Sequence, residues 1–269
     1  MKAPLKARLD ALMFERGLTE SRQRAKAVIM SGNVYIDGKR AEKPGLQVAS
    51  DISIEVRGIS EYVSRGGYKL KKALTHFRVS PEGRVCLDCG AGAGGFTDCL
   101  LKNGARLVYA VDVGYGQLAW NIRKDPRVIT MERTNIRYAA PGMFEIMPDL
   151  AVIDVSFISL ALVLPKVREL LTDTGEVLCL IKPQFEAGRE KVGKKGVVRD
   201  PVTHIAVLDS FLHYALESSF QVKGITWSPI KGPEGNIEFL GWLRRQGKNE
   251  IIDTAALVRQ SHEELYEER

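Results

Sequence analysis

Four polar side chains of the sequence stand beside apolar runs that have the length of buried strands. Asp154 follows the run Leu-Ala-Val-Ile, and Lys182 follows the run Val-Leu-Cys-Leu-Ile. Glu238 lies near the start of a third run, and Lys69 opens a short helical stretch. The ends of parallel strands meet at one edge of a sheet, and an antiparallel strand would bring its start to that edge. We therefore predict that two lysines and two carboxylates form one catalytic site.

The chemistry typical of such a cluster is proton abstraction from a weak nucleophile. A ribose hydroxyl, for example, needs a base that is held in position. A lysine serves as this base only where burial or a second cation lowers the pKa of its amine. The carboxylates would then orient the amines and balance their charge. The alternative is a pair of buried salt bridges without a catalytic role.

A glycine-rich loop follows the first predicted strand of the same region. It begins at Asp88 and has the spacing G-x-G-x-x-G of dinucleotide-binding proteins, with Asp112 about 20 residues beyond the first glycine. A carboxylate at Asp88 would repel a pyrophosphate at the helix N-terminus, but it suits the ammonium and sulfonium groups of S-adenosylmethionine. We therefore favour S-adenosylmethionine over NAD, with a purely structural turn as the remaining alternative. The predicted cofactor-binding residues are Asp88, Gly90, Gly92, Gly94, Gly95, Phe96, Thr97, Asp112, Val113 and Asn135.

From about residue 84 onward, apolar runs alternate with helical patterns. This alternation predicts an α/β fold with a mostly parallel, doubly wound sheet. The predicted strands cover residues 85–89, 107–113, 128–131, 150–155, 177–182, 220–227 and 237–242. The predicted helices cover residues 96–102, 117–123, 158–171 and 202–217.

The N-terminal part of the chain has a different pattern. Apolar residues recur at helical spacing between Leu5 and Met30, and residues 34–39 predict a strand that enters an Asp-Gly hairpin turn. A further strand over 52–56 would complete a unit that is small for an independent core and fits an appended recognition module. We predict a small α+β domain over 1–60 and an α/β domain over 61–269.

Positive charge is concentrated at the N-terminal end. The chain has a formal net charge of +6, and its residues 1–80 hold 16 Lys and Arg against 8 Asp and Glu. This distribution favours a polyanionic partner, which could be nucleic acid or an acidic membrane surface. Solvated basic helices are the alternative.

Other kinds of site and protein are disfavoured by the sequence. The pair Cys86-x-x-Cys89 has no second pair and no clustered histidines, so we expect no metal. The longest apolar tract, residues 150–164, is interrupted by polar residues and is too short to span a bilayer. The N-terminus lacks the apolar core of a signal peptide. We therefore expect a cytoplasmic protein that does not bind membranes.

The chain resembles, nearly end to end, the TlyA (hemolysin A) family of ribosomal RNA 2′-O-methyltransferases within the FtsJ-like class. The resemblance rests on Ser64-Arg-Gly-Gly-Tyr-Lys-Leu, Asp112-Val-Gly-Tyr-Gly-Gln-Leu-Ala-Trp, Glu132-Arg-Thr-Asn, Asp154-Val-Ser-Phe-Ile-Ser-Leu, Lys182-Pro-Gln-Phe-Glu and Gly232-Pro-Glu-Gly-Asn-Ile-Glu. It implies a Rossmann-like, S-adenosylmethionine-dependent methyltransferase sheet that acts on a cytidine ribose of ribosomal RNA or ribosomal subunits. The Lys-Asp-Lys-Glu tetrad of the class falls on Lys69, Asp154, Lys182 and Glu238, and the resemblance implies that Lys182 is the base.

The N-terminal residues resemble the small RNA-binding domain first recognised in a ribosomal small-subunit protein. The matching strings are Arg8-Leu-Asp, Glu15-Arg-Gly-Leu, Ser21-Arg, Gly32-x-Val and Ile36-Asp-Gly. Basic side chains in such a domain contact phosphates, which gives affinity and placement but little sequence reading. The predicted RNA-binding residues are Arg8, Arg16, Arg22, Arg24, Lys26 and Arg65.

Two other functions stay open on the sequence alone. An RNA-binding or ribosome-assembly factor could keep the fold without catalysis, although the intact tetrad, Asp88 and Asp112 argue against it. A membrane-lytic protein is suggested only by the family's traditional name. The long, basic, glycine-rich loop over 186–199 is predicted either to fold over bound RNA or to be mobile in solvent.

Overall fold

Two separately packed units make up the chain in the computed structural model, which describes residues 6–19, 21–58 and 60–266. The first unit is Met1–Glu61 and the second is Tyr62–Arg269. The first unit has one hydrophobic core, and the second has a core on each face of its central sheet.

The first unit combines two helices with two small antiparallel sheets. Its elements are β1 (Lys6–Arg8), α1 (Leu9–Glu15), α2 (Arg22–Met30), β2 (Val34–Ile36), β3 (Lys39–Arg40), β4 (Gln47–Ala49) and β5 (Ile54–Val56). Strand β1 pairs with β4, and β2 lies between β3 and β5. Leu9, Met13 and Ile29 are fully buried in the core.

The Asp-Gly hairpin turn of this unit forms as predicted. Asp37 and Gly38 both have positive φ angles, 49° and 75°, which a two-residue turn between twisted strands requires. One prediction for the unit is wrong, because Lys6–Arg8 pairs with Gln47–Ala49 as a strand and does not begin a helix. Leu5, also predicted to be helical, lies outside the described residues.

The second unit alternates strands with helices over its whole length. Its elements are α3 (Gly66–Phe77), β6 (Val85–Cys89), α4 (Gly95–Lys102), β7 (Leu107–Val111), α5 (Trp120–Arg123), β8 (Val128–Met131), β9 (Leu150–Ile153), α6 (Leu164–Glu169), β10 (Glu176–Ile181), α7 (Pro183–Glu186), α8 (Pro201–Glu217), β11 (Gln221–Trp227), β12 (Phe239–Arg244) and α9 (Thr254–Tyr266). Short 3-10 turns lie at Ile136–Tyr138, Pro141–Met143, Leu160–Leu162 and Arg189–Lys191.

These strands form one mixed sheet of seven strands in the order β11-β12-β10-β9-β6-β7-β8. The five strands from β6 to β10 are parallel to one another. Strand β12 is antiparallel to both β10 and β11. Helices α6, α8 and α9 cover one face, and α3, α4 and α5 cover the other. The strand order reverses between β6 and β9, which is where a doubly wound sheet opens a crevice for ligands.

Several predicted strands end or begin at other residues than expected. Strands β9 and β10 end at Ile153 and Ile181, so Asp154 and Lys182 are the first residues beyond them. Strand β7 ends at Val111, and β12 begins directly after Glu238. Asp154, Lys182 and Asp112 thus come directly after a strand, and Glu238 comes directly before one. Each lies where the apolar run that packs on both faces of the sheet stops.

The predicted helix over 158–171 is wrong as a continuous helix. A 3-10 turn at Leu160–Leu162 precedes α6, and Pro165 stands in the first turn of α6. Proline has no amide hydrogen and its ring clashes with the preceding turn, so it starts a helix but does not continue one. The predicted helix over 117–123 is shortened to α5, Trp120–Arg123. Among the described residues, no helix is long and apolar enough to cross a membrane.

Candidate active site

The carboxyl edge of the large sheet brings together the four side chains predicted to be catalytic. Asp154 and Lys182 follow the adjacent parallel strands β9 and β10. Glu238 reaches the same edge because β12 runs antiparallel to β10. Lys69 lies in α3, which packs over the sheet at this end.

The four side chains form two ion pairs. Lys69 Nζ donates to Glu238 Oε2 over 2.5 Å, and both side chains are buried. Lys182 Nζ lies 2.6 Å from Asp154 Oδ1 and donates to the hydroxyl of Ser156 over 3.0 Å. Buried charges are tolerated only when they are paired in this way. Each lysine therefore has its own carboxylate.

The amine of Lys182 is held at the wall of a large cleft. Only 8% of the residue is exposed, and it lines the cleft together with Lys69 and Asp154. The Lys182 ammonium is in ion-pair contact with Asp154 and donates a hydrogen bond to Ser156. Since an ammonium has three donor positions, the amine can also contact a group in the cleft, as a proton-transfer residue must.

Glu238 lies behind the cleft and is held from two further sides. Gln184 Nε2 donates to its Oε1 over 3.4 Å, so the short helix α7 that follows β10 also contacts this carboxylate. A Cβ at Gly232 would lie 2.7 Å from the same oxygen. Only a glycine leaves room for the carboxylate here.

The glycine-rich loop occupies the same edge, between β6 and α4. Gly90 and Gly94 have φ angles of +85° and +95°, a region that favours glycine. A Cβ at Gly90 would also lie 2.6 Å from the carbonyl oxygen of Asp154. The loop can therefore approach Asp154 this closely only because residue 90 is a glycine.

Asp112 ties this loop to the one that follows β7. Its Oδ2 accepts from the amide of Gly92 and its Oδ1 from the amide of Gly114, each over 2.7 Å. Its carboxylate retains lone pairs that point to other donors, since each oxygen accepts more than one hydrogen bond. Of the predicted cofactor-binding residues, the following line the cleft: Gly90, Gly92, Gly95, Phe96, Asp112, Val113 and Asn135.

Asp88, Gly94 and Thr97 are placed differently, beneath the loop rather than on the cleft wall. Asp88 is fully buried, its Oδ2 accepts from the Thr97 hydroxyl over 2.6 Å, and its Oδ1 has no hydrogen-bond partner among the described residues. Burial raises the pKa of the Asp88 carboxyl to about 7, partly opposed by the hydrogen bond from Thr97. A buried carboxyl with an unused oxygen is ready to balance a positive charge brought into the site.

The cleft and its walls fit S-adenosylmethionine. The cleft has a volume of about 1650 Å³, and it is lined both by the glycine-rich loop and by Lys69 and Lys182. Asp112 lies on the cleft wall with acceptor positions that suit ribose hydroxyls, and the unpartnered Oδ1 of Asp88 lies beneath the loop, where an ionised carboxylate would suit a cation. Among the described residues, no group of three or more His, Cys, Asp and Glu side chains is arranged to hold a metal ion.

Three side chains of the site were not found by the sequence reasoning. Ser156 contacts the amine of Lys182, and Glu186 accepts hydrogen bonds from the neighbouring loop. Phe157 is 91% exposed at the cleft, has a φ of +63°, and lies 5.0 Å from the ring of Phe185. A bulky residue in this backbone region is strained, which points to a functional reason for its position. All three lie in the two sequence strings that begin at Asp154 and Lys182 and carry the family resemblance. Their place in these strings was the one signal that could have identified them as site residues.

Glu186 fastens together the two loops that carry the second ion pair. Its Oε2 accepts from the Ser159 hydroxyl over 2.6 Å, and its Oε1 accepts from the amide of Leu160 over 2.9 Å. Burial raises the pKa of the Glu186 carboxyl. The loop from Asp154 and the loop from Lys182 are thus joined at a second point.

Replacing Glu186 by alanine is expected to destabilise this edge of the sheet. The amide of Leu160 and the hydroxyl of Ser159 would lose their acceptor, which costs about 1–3 kcal/mol for buried groups. The change should lower the melting temperature by several degrees in a thermal unfolding experiment. Glu186→Gln keeps one carbonyl acceptor and should lose less. Equal melting temperatures for all three proteins would contradict this role.

Comparison with known proteins decides the family. The family model described as FtsJ-like methyltransferase matches residues 62–245, and the S4 domain model matches residues 7–51. The chain belongs to the FtsJ-like methyltransferase family. The Rossmann-like α/β fold and the family resemblance expected from the sequence are therefore confirmed.

Relatives of this FtsJ-like methyltransferase match nearly its whole length. It is 46% identical to the 16S/23S rRNA (cytidine-2′-O)-methyltransferase TlyA of Mycobacterium tuberculosis, over 90% of this chain and 91% of the relative. It is 42% identical to hemolysin A of Brachyspira hyodysenteriae, over 87% and 98% of the two chains. A solved structure of a hemolysin-named protein from Streptococcus thermophilus is 46% identical, with a TM-score of 0.76 and coverage of 98% of each chain.

Within the S4 unit of the FtsJ-like methyltransferase, the predicted RNA-binding side chains differ in their surroundings. Arg8 and Arg22 both pair with the buried Asp10, at 3.0 and 3.4 Å, and these contacts lower the pKa of the Asp10 carboxyl. Arg16 donates to backbone carbonyls of the loop before β5. Arg24 and Lys26 are exposed on α2. In the second unit, the exposed Arg65 donates to the carbonyl of Lys231 over 2.7 Å.

The loop over 186–199 of the methyltransferase unit is anchored at its far end. Asn236 accepts from the amide of Val198 over 2.9 Å and donates to the carbonyl of Gly196 over 2.9 Å. Gly188 and Arg189, near its start, line the cleft. The loop therefore has defined contacts with the segment that carries Glu238.

Proposed function

We propose that this FtsJ-like methyltransferase transfers a methyl group from S-adenosylmethionine to a ribose 2′-hydroxyl of ribosomal RNA, with cytidine as the target nucleotide. The observation that carries the proposal is the amine of Lys182, which Asp154 and Ser156 hold in the same cleft as the glycine-rich loop. The TlyA relative from Mycobacterium tuberculosis is a 16S/23S rRNA (cytidine-2′-O)-methyltransferase, which supports ribosomal RNA as the substrate.

S-adenosylmethionine supplies an electrophilic methyl group when it is bound. The chain's part is to hold it, and Asp112 is suited to the ribose hydroxyls because its carboxylate is fixed by two amides. Val113 and Asn135 line the neighbouring wall. Asp88 provides negative charge beneath the loop. These residues set the position of the donor without touching the nucleophile.

Lys182 acts on the nucleophile. In its neutral form, its Nζ can accept the proton that the 2′-hydroxyl loses when its oxygen replaces the sulfur of the cofactor on the methyl carbon, so that the bond between sulfur and carbon breaks and the sulfur leaves as a thioether. Asp154, 2.6 Å away, stabilises the ammonium group that results. The pair formed by Lys69 and Glu238 is already neutral overall, so it adds no net charge next to Lys182. Much of the acceleration comes from holding the two reactants in line.

Basic side chains of the S4 unit, together with Arg65 of the catalytic unit, supply affinity for RNA. Arg24 and Lys26 offer exposed cations on α2 of the S4 unit, and Arg65 stands at the cleft of the catalytic unit. Arg8, Arg16 and Arg22 are held by protein acceptors, but a guanidinium group has five donors and can still contact phosphate. A nucleotide inside a structured RNA has to leave its stack before its ribose reaches the cleft.

Replacing Phe157 by alanine is expected to weaken the binding of the target nucleotide. Its exposed ring at the cleft offers a face for a base to stack on, and such stacking contributes about 1–3 kcal/mol. The variant should have a KM for RNA about 10-fold higher, with little change in cofactor affinity. Phe157→Tyr keeps the ring face and should restore the wild-type KM. An unchanged KM in the alanine variant would exclude the stacking role.

The test of the proposed function is transfer of labelled methyl from S-adenosylmethionine to purified ribosomal subunits and to naked ribosomal RNA. Mapping of 2′-O-methyl groups then locates the product. A ribose-methylated cytidine is the expected result. If no ribosomal substrate accepts the label although the cofactor binds, the proposal fails and a non-catalytic RNA-binding role replaces it.

A further inference from the structure

Two exposed aromatic rings, each paired with a cation, lie beside the cofactor loop of the catalytic unit. Tyr115 is 68% exposed, and the guanidinium of Arg133 lies 4.3 Å from the centre of its ring. Trp120 is 67% exposed, and Nζ of Lys124 lies 4.4 Å from its ring. We call these four side chains the aromatic rim.

Hydrogen bonds and an ion pair hold the backbone that carries the rim. Oε1 of Glu132 accepts from the amide of Gly116 over 2.8 Å and also pairs with Arg123, so one carboxylate joins the turn after Tyr115 to helix α5, which begins with Trp120. The amide of Arg133 donates to the carbonyl of Gly114 over 3.0 Å. Arg133 also has a φ of +52°, a strained backbone for a residue with a long side chain. Strain of this kind persists where a side chain is held for a purpose.

Neither packing nor the cofactor accounts for the rim. Both rings are about two-thirds exposed, so they bury little apolar area in the core. Val113, Gly114 and Gln117 line the cleft, but the rim residues Tyr115 and Trp120 do not. A cation over an exposed ring stabilises the fold by only about 0.5–1 kcal/mol. The rim therefore faces outward from the edge of the cleft.

We propose that the aromatic rim binds an unpaired RNA segment next to the target nucleotide. Bases stack on Tyr115 and Trp120, and Lys124 and Arg133 contact the phosphates between them. Ring faces accept any base, and cations follow the backbone, so this combination is typical of single-stranded nucleic-acid binding. Charge favours RNA over a protein partner because the neighbouring carboxylates are each paired with an arginine, Glu132 with Arg123 and Asp125 with Arg127. This pairing leaves the rim with the positive charge of its own two cations. The proposal rests on the RNA methyltransferase function above and assigns it a second contact surface outside the S4 unit.

The test compares the full-length protein with the double variant Tyr115→Ala/Trp120→Ala. Affinity for ribosomal RNA fragments is measured by fluorescence anisotropy, together with kcat, the KM for RNA and the Kd for S-adenosylmethionine. We expect RNA affinity to fall and KM to rise at least 10-fold, with kcat and cofactor Kd within twofold of wild type. A fall in cofactor affinity alone would assign the rim to the cofactor site and overturn the proposal.

A charge variant gives an independent measurement. Lys124→Gln should reduce the slope of log affinity against log salt by about 1, as expected for the loss of one phosphate contact. Arg106 is exposed just before β7, at the opposite edge of the sheet, so Arg106→Gln is the matched control and should leave the slope unchanged. Equal slopes for both variants would contradict the proposal.

The outcomes separate this proposal from the proposed function. If the wild-type protein transfers no methyl group but binds RNA, and the double variant loses that binding, the rim stands and the catalytic proposal fails. If wild type and double variant methylate and bind RNA equally, the rim proposal fails alone. If the double variant binds naked RNA normally and loses affinity only for intact subunits, the rim binds a ribosomal protein and the RNA proposal is wrong.

Discussion

Replacing Lys182 by alanine is expected to lower the rate of methyl transfer by roughly 100- to 10,000-fold, the range typical for loss of a general base. In its neutral form the Lys182 amine can accept the hydroxyl proton, and Asp154, 2.6 Å away, stabilises the ammonium that then forms. Cofactor binding should change little, because the predicted cofactor contacts lie between Asp88 and Asn135, on β6, α4 and the loops after β6, β7 and β8, and not on the loop that carries Lys182. Single-turnover transfer and calorimetric binding of S-adenosylmethionine measure the two effects separately.

Lys182→Arg is the matched control for this experiment. A guanidinium keeps the positive charge beside Asp154 but cannot take up a further proton. We expect this variant to be nearly as inactive as Lys182→Ala. If it retains activity, the charge of residue 182 matters rather than its ability to accept a proton. Normal turnover in Lys182→Ala would exclude the residue as the base.

Replacing Asp88 by asparagine is expected to stabilise the free protein above pH 7 and to weaken cofactor binding. Burial raises the pKa of the Asp88 carboxyl from 3.8 to about 7, so the folded chain binds a proton that the unfolded chain has lost. Stability contributed by the protonated form is present below pH 4 and is lost as the pH rises through 7. At pH 8 the folded wild-type protein has to keep an ionised carboxylate buried, which costs free energy. Asparagine removes this cost, and the melting temperature at pH 8 should rise by roughly 5 °C.

The same substitution should have the opposite effect on binding. S-adenosylmethionine carries positive charge, so its binding favours the ionised carboxylate and should tighten in the wild type between pH 6 and pH 8. The asparagine variant should bind about 10-fold more weakly at pH 8, an effect of about 1.4 kcal/mol, without this pH dependence. Calorimetry across that range measures both properties.

Asp98 is the control for the effect on stability. It is almost as buried as Asp88, but its carboxylate accepts from the amide of Val63 and pairs with Lys102. Asp98→Asn should therefore destabilise the protein. If both asparagine variants lose stability at pH 8, the assignment of a costly buried carboxyl to Asp88 is wrong.

The fold of the catalytic unit was accessible from the sequence because its strands are apolar on both faces. Each predicted strand of this unit, such as the one predicted over 150–155 and observed as Leu150–Ile153, has the expected bounds or lies within two residues of them. The change from apolar to polar residues at the end of a strand also located the site, since Asp154 and Lys182 are the first polar residues after two apolar strands. Local pattern therefore predicted which residues reach the edge of the sheet.

Hydrogen-bond partners could not be predicted in this way, because they depend on elements far apart in the chain. No spacing rule places Ser156 on Lys182, or joins the loop of Leu160 to Glu186. Asp88 was assigned to the cofactor by charge, but its place beneath the loop depends on how β6 and α4 pack. In the S4 unit, a sequence of basic residues does not reveal that Asp10 is buried against two of them.

The ion pair between Lys69 and Glu238 joins residues 169 positions apart, and this separation has a consequence for the newly made chain. Synthesis from the N-terminus delivers the glycine-rich loop and Asp112 long before Glu238 is translated. Strand β12 must then enter between β10 and β11, and non-local pairings of this kind form late in folding. A nascent chain thus has its glycine-rich loop and Asp112 before its set of catalytic side chains is complete, and the last of them, Glu238, takes its place only when β12 pairs with β10.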